Sequence, residues 1–188
     1  MNLPNKLTIL RVALIPFFVA AMLLAGKVKK AGIDIFILIA LIIFIGASIT
    51  DWLDGKIARK RGLVTTFGKF LDPLADKILV ITALICFLAR CPMWIDSVAV
   101  ILILAREFMV SGVRLVVANE GVVVPAGIWG KLKTAFTMIA IVAILLLEGL
   151  GIHICWVNEI LIWIAAILTI ISGVQYLAAY WKYIDASK

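Results

Sequence analysis

The chain is poor in the side chains on which most soluble enzymes build their chemistry. It has one histidine, His153, and three cysteines, Cys86, Cys91 and Cys155. The cysteines have no metal-binding or redox spacing, which excludes zinc knuckles and dithiol catalysis. They read as small hydrophobes. A lone histidine near an expected helix start suits a capping or interfacial role better than catalysis. Charge is scarce as well, at 15% of residues against 65% hydrophobic. Soluble domains run at roughly 45–50% apolar, so this composition belongs in a bilayer. There is no internal repeat and no low-complexity segment. No clear small-xxx-small seam marks a self-association face.

What the chain has instead is long, uninterrupted apolar runs and a mean hydropathy of +1.19. Backbone in hydrocarbon must bond to itself, which leaves helices or a closed barrel. The runs do not alternate, so helices are expected. The length suits a single integral-membrane domain, 1–188. Six spans are predicted, at Leu7–Ala25, Ile33–Thr50, Phe70–Ala89, Met93–Ala118, Trp129–Leu147 and Ile154–Trp181. Lys6 and Arg11 precede the first apolar run, as in a signal peptide. More spans follow directly and no A-x-A site is clear, so it reads as the first membrane helix. The second helix is expected to continue past Thr50, because DWLDGKIARK has no proline. Its apolar part covers about 27 Å at 1.5 Å per residue, which puts Asp51 near the headgroup boundary. Trp94, Trp129, Trp156 and Trp181 fall near span ends, like an aromatic belt.

The net charge of +7 points to cytoplasmic loops and anionic headgroups rather than to nucleic acid. With the N-terminus inside, the inner face collects Lys6, Arg11, Lys56, Arg59, Lys60, Arg61 and Lys69. Arg114, Lys131, Lys133, Lys182 and Lys188 join them. The outer face has Lys27, Lys29, Lys30 and Arg90, with the basic GKVKK loop as the dissenting element. Both termini are therefore expected in the cytoplasm.

The acids gather in DWLDGKIARKRGLVTTFGKFLDPLAD, residues 51–76. Asp51 and Asp54 share a helix face at a spacing of three, and Asp72 and Asp76 share one at four. RKRGLVTT reads as a tight turn, with Gly62 as the break and Thr65 or Thr66 as the N-cap. Two antiparallel helices joined there bring four carboxylates together. One aspartate at membrane depth costs roughly 2.5–3.5 kcal/mol, less at the boundary, and like charges add repulsion. Arg59 and Lys69 offer ion pairs. The other compensation is a hard cation such as Mg²⁺ or Mn²⁺, for which carboxylates form an oxygen cage. A pair of such ions balances the four charges and can clamp a phosphoryl group. Gly55 and Gly68 each cost about 1 kcal/mol relative to alanine inside a helix. With Ala58 they leave a shallow surface, fitting either a base or pyrophosphate or close helix packing.

The pattern Asp51-x2-Asp54-Gly55-x2-Ala58-Arg59-x8-Gly68-x3-Asp72-x3-Asp76 resembles the signature of the CDP-alcohol phosphotransferases at every position. The resemblance implies an all-α membrane protein, a six-helix bundle, generally homodimeric, with its site at the cytoplasmic face of the inner membrane. It implies displacement of CMP from a CDP-linked alcohol by the hydroxyl of a second alcohol. Asp51, Asp54 and Asp72 would hold two metal ions, Mg²⁺ or Mn²⁺, with Asp76 also a ligand and able to act as general base. Gly55, Ala58 and Arg59, with Gly68, would lie along the cytidine diphosphate.

Charges in otherwise apolar spans bear on the acceptor. Arg106, Glu107 and Arg114 lie in LAREFMVSGVRL, and Lys131 and Lys133 in WGKLKTAF. Intramembrane charges usually mark function. Arg106, Arg114, Lys131 and Lys133 read as a pocket for a second phosphate, or as structural partners of Glu107 and the acidic cluster. The runs LPNKLTILRVALIP, GKFLDPLADK, AREFMVSGVR and GKLKTAFTM are similar to one bacterial branch of the family. That branch takes CDP-diacylglycerol as donor and sn-glycerol 3-phosphate as acceptor, giving phosphatidylglycerol phosphate and CMP. Asn5, Thr8 and Arg11 recur at three-residue steps and can line one helix face towards the nucleotide. Equally, Asn5 can cap that helix and Arg11 can snorkel. Lys77 is either a counter-charge or an interfacial lysine. Two other readings stand beside this one. The same chemistry can use phosphatidylglycerol, inositol phosphate or serine as acceptor. A divalent-metal transporter, from another class, needs mid-membrane acids and internal symmetry, neither of which is visible.

Overall fold

A computed structural model describes residues 3–30, 32–61, 66–90, 95–119 and 127–181. Within these, side chains at 3–5, 51–61, 66–73 and 119 are not described. Six long helices account for nearly all of it: α1 (Leu3–Leu24), α2 (Ile35–Arg61), α3 (Thr66–Arg90), α4 (Ser97–Asn119), α5 (Ile128–Gly149) and α6 (Cys155–Tyr180). The expected α2 extension beyond Thr50 is present and unbroken to Arg61. Thr66 opens α3, while Gly62–Thr65 lie outside the described residues. Among the described residues, three stretches are long and apolar enough to cross a membrane: Lys6–Leu24, Ile128–Gly149 and Cys155–Tyr180. The apolar part of α2, Ile35–Thr50, is shorter.

The described residues pack into two compact units. The first comprises Met1–Arg90 with Ile141–Ile154, and in it α1 packs on α2 and α3. Buried α1 positions Thr8, Arg11, Ile15, Phe18 and Met22, with Ala25 just past the helix end, recur at alternating steps of three and four, the stripe that a 3.6-residue period presents to one neighbour. Phe18 and Phe44 of α2 are both fully buried, with ring centroids 6.1 Å apart and planes tilted by 51°. Where a loop was expected between the first two spans, a small antiparallel hairpin forms instead. It pairs β1 (Lys29–Lys30) with β2 (Ile33–Asp34).

Asp34 fixes that junction. One carboxylate oxygen accepts from the α2 N–H groups of Phe36 and Ile37, at 3.1 and 3.3 Å. The other accepts from Gly26 N–H at 2.5 Å. Asp34 is therefore the N-cap of α2, and it orders the preceding turn as well. Asp96 caps α4 in the same manner through Val98 N–H, at 2.9 Å. This is why that helix starts at Ser97 rather than at Met93. α5 ends in a Schellman turn, with Ile152 N–H donating to Leu147 C=O and Gly151 N–H to Glu148 C=O. Gly151 has φ +74°, and a Cβ there would run into the Gly32 carbonyl oxygen. Beside this turn, His153 Nδ1 lies 2.5 Å from Oε2 of the fully buried Glu148. The lone histidine is thus a half-exposed partner of a buried carboxylate.

The second unit comprises Cys91–Ala140 with Cys155–Lys188, and in it α4 packs on α6. The buried positions of α4 include Ala99, Ile103, Arg106, Val110, Val113 and Val117, with Val100 buried beside Ala99. Those of α6 include Asn158, Ile162, Ala165, Thr169, Ser172 and Tyr176, with Ala166 and Gly173 buried beside them. Both series step by four and three, so each helix offers one continuous stripe. Residues that meet rise together in number, Arg106 with Ser172 and Arg114 with Tyr176, so the two helices run in the same direction.

Candidate active site

The aspartates of the signature lie on two consecutive helices of the first unit. Asp51 and Asp54 are on α2, and Asp72 and Asp76 are on α3. Counted from the connection, Asp51 lies about 15 Å back along α2 and Asp76 about 15 Å forward along α3. Asp54 and Asp72 are each about 10 Å from it. The two pairs are thus spaced alike along their own helices, measured from the connection. The side chains of Asp51, Asp54, Gly55, Ala58, Arg59, Gly68 and Asp72 lie outside the described residues. Asp76 is half-buried, next to the fully buried Ala75. Among the described residues there is no group of three or more His, Cys, Asp and Glu that can hold a metal. The donor chemistry of the signature nevertheless fits a hard divalent cation, since it offers only carboxylate oxygens, in pairs one helical turn apart.

Thr8 and Arg11 of α1 are fully buried. Burial removes the snorkelling alternative for Arg11. The side chain of Asn5 lies outside the described residues.

The basic set belongs to the second unit. Arg106 occupies a core position of α4 and is only 6% exposed. Its Nη1 donates to Oε1 of Glu107 at 3.2 Å, and its Nη2 to Oγ of Ser172 at 2.6 Å. The same Glu107 oxygen also accepts from Nζ of Lys133. One carboxylate on α4 therefore holds a cation from its own helix and a cation from α5, as the ion-pair alternative anticipated. A guanidinium and an ammonium thus share this one carboxylate. Arg114 is exposed, donates from Nε to the Tyr176 hydroxyl at 2.9 Å, and has its guanidinium carbon 5.3 Å from the tyrosine ring centroid. Lys131 is exposed. The structure thus brings Arg106 and Lys133 onto one carboxylate. It ties Arg114 to α6, and it leaves Lys131 at the surface of this unit.

The α6 residues of this site, Ser172, Gly173 and Tyr176, are not evident from sequence motifs. The available signal was the spacing of Thr169, Ser172 and Tyr176, polar-bearing positions in steps of three and four along an apolar helix.

The profile of the CDP-alcohol phosphatidyltransferase family matches residues 1–171, nearly the whole chain. The chain belongs to this family. CDP-alcohol phosphatidyltransferases are membrane helical bundles that use divalent metals, and the present one is a multi-pass membrane protein. Its similarity to individual members extends end to end. A Bacillus subtilis protein named CDP-diacylglycerol–glycerol-3-phosphate 3-phosphatidyltransferase is 44% identical, covering 99% of this chain and 98% of its own length. A Rickettsia bellii protein of the same name is 44% identical, covering 97% of each. One from Haemophilus influenzae is 41% identical, covering 94% of this chain and 91% of its own.

Proposed function

We propose that this protein transfers the phosphatidyl group of CDP-diacylglycerol to sn-glycerol 3-phosphate, yielding phosphatidylglycerol phosphate and CMP. The observation that carries the reading is end-to-end similarity to enzymes bearing that name, at 44% identity. The basic set of the second unit supports the choice of acceptor, because a phosphorylated acceptor needs a cationic site and serine does not. The family membership and the absence of internal repeats count against a metal transporter.

Asp51, Asp54, Asp72 and Asp76 would hold two divalent ions, Mg²⁺ or Mn²⁺. When bound, such ions supply charge neutralisation at the phosphates. The residues of the chain do the rest. Gly55, Ala58 and Gly68 leave room for the cytidine diphosphate against the helix backbones, and Arg59 adds a cation; Asn5 and Thr8 belong to the same nucleotide subsite. Arg106, Arg114, Lys133 and Lys131 hold the acceptor phosphate and so aim its hydroxyl. That hydroxyl oxygen forms a bond to the phosphorus carrying diacylglycerol, the bond from that phosphorus to the CMP oxygen breaks, and the hydroxyl proton passes to Asp76. Holding both substrates in line supplies most of what phosphoryl transfer asks of a protein. The same reading includes a homodimer in the cytoplasmic membrane with both termini inside, as the distribution of lysine and arginine suggests.

The test is CMP release from CDP-diacylglycerol, with and without glycerol 3-phosphate, in wild type and Asp76→Asn. Acceptor-dependent release that the substitution abolishes is expected. Incorporation of serine in place of glycerol 3-phosphate would reject the acceptor.

A further inference from the structure

We propose that α6 is the positioning element of the acceptor-phosphate site, through Ser172, Gly173 and Tyr176. This rests on the assignment of Arg106 and Arg114 to the acceptor phosphate. The three α6 residues carry no charge and do not themselves bind phosphate; they fix the two arginines that do.

The first argument is where Arg106 sits. It takes the place in the α4 stripe between Ile103 and Val110, where a hydrophobic residue packs against α6. A guanidinium there loses water and must find donors' partners inside the protein. Glu107 is adjacent on α4 and holds one edge, and Ser172 on α6 holds another. Two partners from two helices fix the plane of the guanidinium, which one partner leaves free to rotate. Its Nε is buried and has no hydrogen-bond partner among the described residues.

The second argument is space. A Cβ at Gly173 would lie 2.9 Å from Cγ of Arg106 and 3.5 Å from its Nε. Cγ is near the root of the side chain, so the arginine has no flexible end with which to yield. Gly173 is the gap through which the Arg106 stem passes.

The third argument is convergence. Arg106 and Arg114 start about 12 Å apart along α4. Their α6 partners, Ser172 and Tyr176, are one turn apart, about 6 Å. α6 thus holds both guanidinium groups from positions one turn apart, closer in register than the two α4 positions that carry them. Tyr176 is itself buried, packed among Val110, Val113 and Val117, so its hydroxyl is a fixed post. It takes the Nε edge of Arg114 and leaves the Nη groups for an anion.

The experiment uses full-length protein in nanodiscs, with glycerol 3-phosphate varied at saturating CDP-diacylglycerol. Ser172→Ala and Tyr176→Phe each remove a single oxygen and are the primary variants; Gly173→Ala is the steric one. A rise of about tenfold in the acceptor KM is expected for each primary variant, the size of one lost hydrogen bond to a charged group. kcat should stay within about twofold and the donor KM should not move. Ser172→Ala added to Arg106→Ala should produce no further rise, because the residue acts only through that arginine. A purely structural role for α6 lowers thermal stability and leaves the acceptor KM alone, and that outcome overturns the proposal. So does an additive effect of Ser172→Ala in the Arg106→Ala background. Arg106→Ala by itself separates the two readings. If it leaves the acceptor KM unchanged, the acceptor site was misassigned. If it raises KM while Ser172→Ala and Tyr176→Phe do not, only the positioning inference fails. Calorimetric binding of glycerol 3-phosphate gives the same ordering without turnover, and so covers a variant that binds but is inactive.

Discussion

Replacing Asp34 tests how the first unit is held together, at a distance from the chemistry. The carboxylate is 2% exposed and accepts three backbone N–H groups, from Gly26, Phe36 and Ile37. Losing the cap of α2 costs about 1 kcal/mol. Losing the charge-assisted bond to Gly26 costs about 2 kcal/mol more. Asp34→Ala is therefore expected to destabilise by about 3 kcal/mol. Asp34→Asn keeps a good capping oxygen but has only an amide group to offer the Gly26 N–H, so about 2 kcal/mol is expected. The assay is equilibrium unfolding in mixed micelles of increasing SDS content, followed by far-ultraviolet circular dichroism. Asp34 is about 25 Å from Asp51 along α2, so turnover per folded molecule should be unchanged in both variants. An alanine variant as stable as wild type would refute the reasoning. It would mean that the cost of burying the carboxylate cancels its three bonds. An asparagine variant less stable than alanine would refute the order in which the bonds were ranked.

Three further outcomes follow from the same geometry. Chelation with EDTA should abolish CMP release, and Mg²⁺ or Mn²⁺ should restore it; activity that survives thorough chelation removes the metal role of the aspartates. Arg114→Ala and Lys133→Ala should raise the acceptor KM by tenfold or so with kcat nearly held, measured by steady-state kinetics. An unchanged KM in both counts against the basic site. Phe18→Ala should cost about 3–5 kcal/mol in the same unfolding assay, because the ring is fully buried against Phe44. A cost below about 1 kcal/mol would show that α1 and α2 close the cavity by moving together.

Much of the function was readable from residue order, because it rests on spacing within a helix or across one short turn. The aspartate pairs at 51 and 54 and at 72 and 76 are of that kind, and so are the apolar runs. Helix ends were less readable. α4 starts at Ser97 because Asp96 caps it, and capping competes with apolar content that extends back to Met93. The hairpin after α1 was missed because two-residue strands have no period to detect.

The sequence by itself determined that the protein lives in a membrane, that it is helical and that it carries paired carboxylates at helical spacing, since each follows from composition or from neighbours a turn apart. Only the tertiary structure decided how the charges pair. Glu107 had several cations within reach, and packing gave it Arg106 and Lys133. Arg11 could have reached for the surface and is buried instead. Ser172 meets Arg106 across 66 positions of chain. Such contacts come from the register between two helix stripes, a property of how whole faces fit together that no local stretch of residues encodes.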